Sequence, residues 1–189
     1  MNNWSFLCEV DIAPLAAWLA EGDKAWPAPS TPCKPQRVRE IPPGLFEPIA
    51  VEVIGKMVAY EIAKNLDSSF TVPVAADPML SRMLPGQSHG FHVDRQRADW
   101  ITRVHVPITT NPGCWMAWEE DHSNECYVTR PTDEVSLPDY STMQKVAPSK
   151  VHFEAGRAYS FNTLERHAFG NDGETERVHL IFDVLRKDA

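Results

Sequence analysis

His92 and Asp94 stand two residues apart in GFHVD at 90–94, and their side chains are of the types that hold metal ions. If Gly90 to Asp94 is a strand, residues two apart share a face, so an imidazole and a carboxylate converge on one point. A His-x-Asp pair is weak evidence alone, because short polar alternations occur on many solvated strands. A third donor gives it weight, and His167, in RHAFGNDGETERVHLIFDV at 166–184, is the candidate. Two histidines and a carboxylate on a rigid β scaffold fill one face of an octahedron and leave three adjacent positions open, the arrangement of non-haem Fe(II) oxygenases. Those open positions are what dioxygen and an organic co-substrate require. A buried arginine anchors the far carboxylate of such a co-substrate through a charge-assisted pair, and Arg177, across one turn from His167, is placed to do so.

These residues need strands to carry them. Asn171-Asp172-Gly173 is a strong turn signal, so its surroundings read as a hairpin, one arm ending near Phe169 and the other starting near Glu176. In the second arm Arg177, His179, Ile181 and Asp183 fall on one face, with Val178, Leu180, Phe182 and Val184 on the other. The stretch 101–108 repeats the pattern, setting Ile101, Arg103, His105 and Pro107 opposite Thr102, Val104, Val106 and Ile108. Two such strands imply a polar lumen with an apolar backing.

The backing needs a cover. Pro48 fits the first turn of a helix running to about Asn65, and Ile49, Val53, Ile54, Met57, Val58 and Tyr60 give it a broad apolar face. Earlier, Asn2 to Val10 reads as a strand with Trp4, Phe6 and Cys8 on one side. A short helix from Ala13 to Glu21 follows, N-capped by Asp11, stopped by Gly22 and presenting Leu15, Trp18 and Leu19. Pro27, Pro29, Pro32, Pro35, Pro42 and Pro43 make 25–44 a loop or extended arm, read as a strap over the core with a lid over the site as the alternative. Cys114 to Trp118, Cys126 to Arg130 and Gly156 to Asn162 are further strands. Short strands at this spacing favour a mainly β, double-stranded β-helix or jelly roll with flanking N-terminal helices. The whole of 1–189 is read as one domain, with 1–78 a support region and 79–187 the jelly-roll core.

Four segments in order, SRMLPG at 81–86, FHVD at 91–94, RVHVPITTNP at 103–112 and the 166–184 stretch, resemble the aspartyl/asparaginyl β-hydroxylase branch of the Fe(II)/2-oxoglutarate-dependent dioxygenases. The resemblance covers roughly Ser81 to Leu185. It implies iron ligands at His92, Asp94 and His167, with Arg177 and Ser81 on the distal carboxylate of 2-oxoglutarate and Arg103 and His105 near its other end. It also implies a cupin-like core, Fe(II) with 2-oxoglutarate as co-substrate, and hydroxylation of an unactivated C–H bond with release of succinate and CO2. The implied substrate is an amino acid, free or within a polypeptide. Animal aspartyl hydroxylases lack the carboxylate ligand that Asp94 supplies, so the chain looks closer to free-standing bacterial members with a full triad.

Composition limits the partners. The 189 residues are 43% hydrophobic, enough for one well-formed core, and the formal net charge of −8 argues against binding nucleic-acid phosphates. Cys8, Cys33, Cys114 and Cys126 lack zinc-site spacing and read as free thiols in a reducing compartment. Glu9 and Asp11 occupy the place of a signal peptide's positive charge, and no apolar run is long enough to span a bilayer, so a soluble cytoplasmic protein is expected. The oligomeric state is left open.

Each site residue also has an ordinary reading. Arg103 and Arg177 could be ion-paired at a sheet edge, and His105 and His179 could be core histidines satisfied by carbonyls. Of these, His105 is assigned to the co-substrate and His179 to a supporting role. His89, His122 and His152 are set aside, the acidic 119–121 stretch is read as a solvated hairpin tip, and for Arg95 and Arg97 reach to a substrate carboxylate is the lesser of two readings. Two rivals remain. A cupin-type metal enzyme without 2-oxoglutarate would keep the triad and be indifferent to Arg177, whereas a jelly-roll binding or sensor protein would hold ligands without turnover.

Overall fold

The alternation in 101–108 and 177–184 sets the architecture, because it gives one sheet two unlike sides. The computed structural model describes residues 4–21, 26–28, 35–38, 40–63, 72–94, 99–119 and 150–187. Its larger sheet runs β1 (Trp4–Glu9), β8 (Arg157–Phe161), β5 (Trp100–Thr109), β10 (Arg177–Leu185), β3 (Val74–Met83) and β2 (Gln36–Val38). The smaller runs β4 (Ser88–His92), β9 (His167–Asn171), β6 (Cys114–Trp118) and β7 (Lys150–Val151). All pairings are antiparallel. From β3 to β6, and again from β7 to β10, the chain passes from one sheet to the other at every turn. That winding is the double-stranded β-helix expected from the sequence.

The larger sheet buries both sides. On one, Val104, Val106, Ile108, Val178, Leu180, Phe182 and Val184 pack with Leu15 of α1 (Ala13–Ala20) and Ile49 and Val53 of α2 (Pro43–Ala63). Phe46 of α2 meets Phe182 edge-on at 5.4 Å. Each such fully buried aliphatic contributes about 1.5–3 kcal/mol, so α2 is fixed to the sheet by a few side chains. The other side faces the small sheet, where Met83, Met116, Trp118, Phe153, Tyr159, Phe161 and Phe169 form a second core. Between these clusters lie the inward polar residues of β5 and β10.

Several expectations are corrected. The turn at 171–173 does not close a hairpin: β9 belongs to the small sheet and β10 to the large one, so the turn is a crossing between them. What fixes the crossing is crowding. A Cβ on Gly113 would lie 2.3 Å from the backbone N of Gly173, and one on Gly173 would lie 1.9 Å from Asn111 Oδ1, so only glycines admit this approach. Asn111 and Asn171 tie the two turns together at 3.1 Å.

Helix α2 starts five residues before Pro48, with Pro43 at its first position. The end of the proline-rich stretch is therefore helical, and its middle supplies β2, which pairs with β3, so neither reads as plain loop. Asp11 stands one place before the N-cap Ile12, yet its carboxylate still accepts from the Ala13 N–H at 2.9 Å. In β1 a bulge between Phe6 and Cys8 breaks the alternation, turning Cys8 to the helix side while Trp4 and Phe6 meet Tyr159 on the other. Tyr60 is exposed instead of joining the apolar face of α2.

Cys8 and Cys114 are buried free thiols. Gly22, Cys33, Asn65, Arg95, Arg97, His122 and the Cys126–Arg130 strand lie outside the described residues. No described helix is long and apolar enough to cross a membrane.

Candidate metal centre

His92 ends β4 and His167 opens β9, and the register pairs the two residues directly across the small sheet. Asp94 is not on the strand: it lies two residues beyond β4, where its N–H donates to the Thr163 carbonyl at 3.2 Å. The convergence expected from strand period is thus produced by a strand end and a backbone tether. Donor atoms of His92, Asp94 and His167 all lie within 4.8 Å of one another. His92 Nε2 is 3.5 Å from Asp94 Oδ1, and His167 Nε2 is 3.8 Å from Oδ2.

Both imidazoles are oriented alike. Nδ1 of His92 lies 2.9 Å from the Gly90 carbonyl, and Nδ1 of His167 lies 2.9 Å from that of Glu165. A carbonyl only accepts, so each Nδ1 carries the proton; in the neutral rings each Nε2 then bears the lone pair, turned with Asp94 to one shared point, and His92 donates to Asp94 only when its Nε2 is protonated as well. Burial works to raise the Asp94 carboxyl, but the His92 bond and the charges of Arg103 and His167 outweigh it and hold the group at about 2. Burial pulls His92 down, yet its bond to Asp94 carries it net upward; His167 is lowered, chiefly by burial. An ionised carboxylate and two directed lone pairs make a donor set that fits a divalent first-row metal, Fe(II) among them.

Arg103 and Asp183 lie behind Asp94. The guanidinium donates to Asp183 at 2.8 and 3.0 Å and to Asp94 Oδ2 at 2.5 Å. Arg103 therefore sits beside the candidate metal ligands and is ion-paired to two carboxylates, on an inner strand and not at the sheet edge of the ordinary reading. Asp183 was not singled out from the sequence, although its alternation with Arg177, His179 and Ile181 placed it on the lumen face.

Arg177 has a different environment. It is 1% exposed, and no carboxylate pairs with it among the described residues. Nη2 donates to His179 Nδ1 at 3.0 Å, the guanidinium carbon stacks 5.2 Å from the centre of the Phe169 ring, and Nη1 has no partner. Burial lowers its pKa to about 10, which leaves it charged at neutral pH. Phe169 also contacts His92, centroids 5.9 Å apart, so one ring separates the triad from this cation. Ser81, paired in register with His179, is 1% exposed with Oγ unpartnered. A buried cation and a buried hydroxyl without an acceptor among the described residues fit the carboxylate end of a ligand. His105 is buried against Phe161 at 4.3 Å, and burial and the Arg177 charge push it well below the ordinary histidine value. His89, set aside from the sequence, meets His92 edge-on with ring centres 4.3 Å apart, and His152 contacts the Cys114 carbonyl.

No known protein family and no curated protein matches the chain. Among solved structures, a Pseudomonas putida prolyl-4-hydroxylase matches with a TM-score of 0.56 at 15% identity, over 99% of this chain and 94% of that one. A viral collagen prolyl hydroxylase from Paramecium Bursaria Chlorella virus-1, in complex with 2OG, matches with a TM-score of 0.53 at 12% identity, over 97% and 96%. A Burkholderia pseudomallei oxidoreductase of the 2OG-Fe(II) oxygenase family matches with a TM-score of 0.47 at 15% identity; 78% of this chain spans 57% of that one, little over half its length. At these identities the likeness is one of fold, and that fold is the double-stranded β-helix.

Proposed function

We propose that this chain is an Fe(II)- and 2-oxoglutarate-dependent dioxygenase that hydroxylates an unactivated C–H bond of an amino acid or amino-acid residue. The observation that carries the reading is Arg177: a buried, charged guanidinium with no carboxylate partner among the described residues, one ring away from a His-Asp-His cluster. Among the described residues nothing else neutralises it, and a buried charge without a partner is costly unless a ligand supplies one. A cupin-type metal enzyme without 2-oxoglutarate leaves that charge unexplained. The solved prolyl hydroxylases support a hydroxylase of this fold, while the quoted sequence segments favour the aspartyl/asparaginyl β-hydroxylase branch and a small or peptidyl amino-acid substrate.

In this reading His92, Asp94 and His167 hold the metal, and Arg177 with Ser81 holds the distal carboxylate. Iron with 2-oxoglutarate and dioxygen supplies the oxidising power, giving succinate and CO2 as co-products. The protein's own part is positional. Backbone carbonyls at Gly90 and Glu165 aim the two Nε2 lone pairs, Arg103 fixes the Asp94 carboxylate as an anion, and the Phe169 and Phe161 rings pack against His92 and His167. His105 stays neutral and stands beside that space.

The test is an anaerobic titration with Fe(II) and then 2-oxoglutarate, following the visible charge-transfer band of a 2-oxo acid chelated to iron. A band in the wild type that weakens in Asp94→Ala and in Arg177→Ala is expected. Bound iron without a band moves the protein to the cupin-type reading, and a band without succinate formation across an amino-acid panel moves it to a binding or sensor protein.

A further inference from the structure

His179 is 2% exposed and lies on the lumen face of β10, in register with Ser81 on β3 and Pro107 on β5. Its Nδ1 is 3.0 Å from Arg177 Nη2 and 3.4 Å from His105 Nδ1. A guanidinium donates and never accepts, so His179 Nδ1 is the lone-pair nitrogen, and in a neutral ring the proton then sits on Nε2. Burial and the neighbouring Arg177 charge favour that neutral ring. The Nε2–H is itself buried and without a partner.

Two more unpartnered polar atoms border the same space. His179 and Arg177 line one narrow, closely packed pocket together with Thr110, Cys114, Met116 and Phe153. Arg177 Nη1 and Thr110 Oγ1 are both buried there without partners. One cation and two neutral donors thus converge on a pocket with apolar remaining walls. That set matches one carboxylate group: an amide or methyl tail would leave the charge of Arg177 unanswered.

We propose that His179, locked as its Nε2–H tautomer by Arg177, orients that guanidinium and donates a second hydrogen bond to the distal carboxylate of a 2-oxo dicarboxylate, making it a specificity-determining residue for the co-substrate. The inference rests on the 2-oxoglutarate reading above.

It is tested by binding two ligands anaerobically to the Fe(II)-loaded protein: 2-oxoglutarate, and 2-oxobutyrate, which keeps the 2-oxo acid head and lacks the second carboxylate. His179→Asn retains an acceptor near the place of Nδ1 and removes the Nε2 donor, whereas His179→Phe removes both. The expected result is 2-oxoglutarate binding weakened about 10-fold in His179→Asn and about 100-fold in His179→Phe, with 2-oxobutyrate and Fe(II) binding unchanged. Equal loss for both acids, or no loss for either, overturns the proposal. Failure of the wider reading looks different, since the wild type itself would then not bind 2-oxoglutarate in preference to 2-oxobutyrate.

A measurement on the wild type needs no variant to fold. In the Zn(II)-loaded protein, histidine-ring ¹⁵N spectra should show His179 protonated on Nε2 and bare on Nδ1, with the Nε2 signal moving when 2-oxoglutarate is added. A proton on Nδ1, or an Nε2 signal that ignores the ligand, overturns it.

Discussion

Arg103 and Asp183 are joined by a two-pronged bond, Nε to Oδ1 at 2.8 Å and Nη2 to Oδ2 at 3.0 Å, and Nη1 of the guanidinium so held reaches Asp94. Asp183 thereby acts on the candidate metal ligand without touching it. Groups that hold a ligand in place typically contribute 10- to 100-fold to metal affinity. Asp183→Asn should weaken Fe(II) or Mn(II) binding about 10-fold, measured by competition with a chelator, while leaving the unfolding midpoint of the metal-free protein within about 1 kcal/mol of wild type. Unchanged metal affinity would make the Arg103–Asp183 pair a packing feature only.

Arg177→Met separates function from stability. A buried cation without an anionic partner costs folding energy, and exchange for an apolar side chain of similar length is often neutral or stabilising. The metal-free variant should unfold in urea within about 1 kcal/mol of wild type or later, while 2-oxoglutarate affinity falls about 100-fold or more. A loss of several kcal/mol in stability would instead mark Arg177 as a structural group.

The stability of the metal-free protein should fall with acid earlier than carboxylates alone would cause. His105 and His179 are pushed well below the ordinary histidine value, first by burial and then by Arg177, and His167 is lowered too. Below about pH 6.5 the unfolded chain takes up protons that these folded rings refuse, so each can remove up to about 1.4 kcal/mol per pH unit. His92 is raised, and its opposite contribution is present at low pH and lost as pH rises through its folded value, above that window. Urea midpoints in chelator should therefore drop between about pH 6.5 and about pH 5, less steeply in His179→Asn. A profile flat over that interval would mean the rings titrate normally.

The lumen face was legible because period two survives in β5 and β10: Arg103, His105, Arg177 and His179 all point where the alternation put them. Asp183 carried no signal beyond its place in that pattern, and Phe169, on β9, lay outside it. The hairpin at 171–173 was misread for a definite reason. A turn sequence reports that the chain reverses, while the sheet that receives the next strand is decided by the Gly113–Gly173 contact and the Asn111–Asn171 bond between two distant turns. Asp94 was found for a reason only partly right, since its position depends on a backbone bond to Thr163 that no local pattern announces. The reversal of Cys8 likewise follows from a one-residue bulge, invisible to strict alternation.

The place of β10 has a kinetic consequence. It lies between β5 and β3, and neither neighbour is adjacent to it in sequence. Until β10 docks, both partners present long open edges, the lumen has no Arg177, and the hydrophobic backs of the strands have no continuous surface for α2. Non-local pairing of this kind makes the search for the native state slow, in the range of milliseconds to seconds, and exposes unpaired strands to other chains meanwhile. Closure of the sheet and assembly of the proposed anion pocket are thus one event, and a carboxylate ligand captured by Arg177 would slow its reversal.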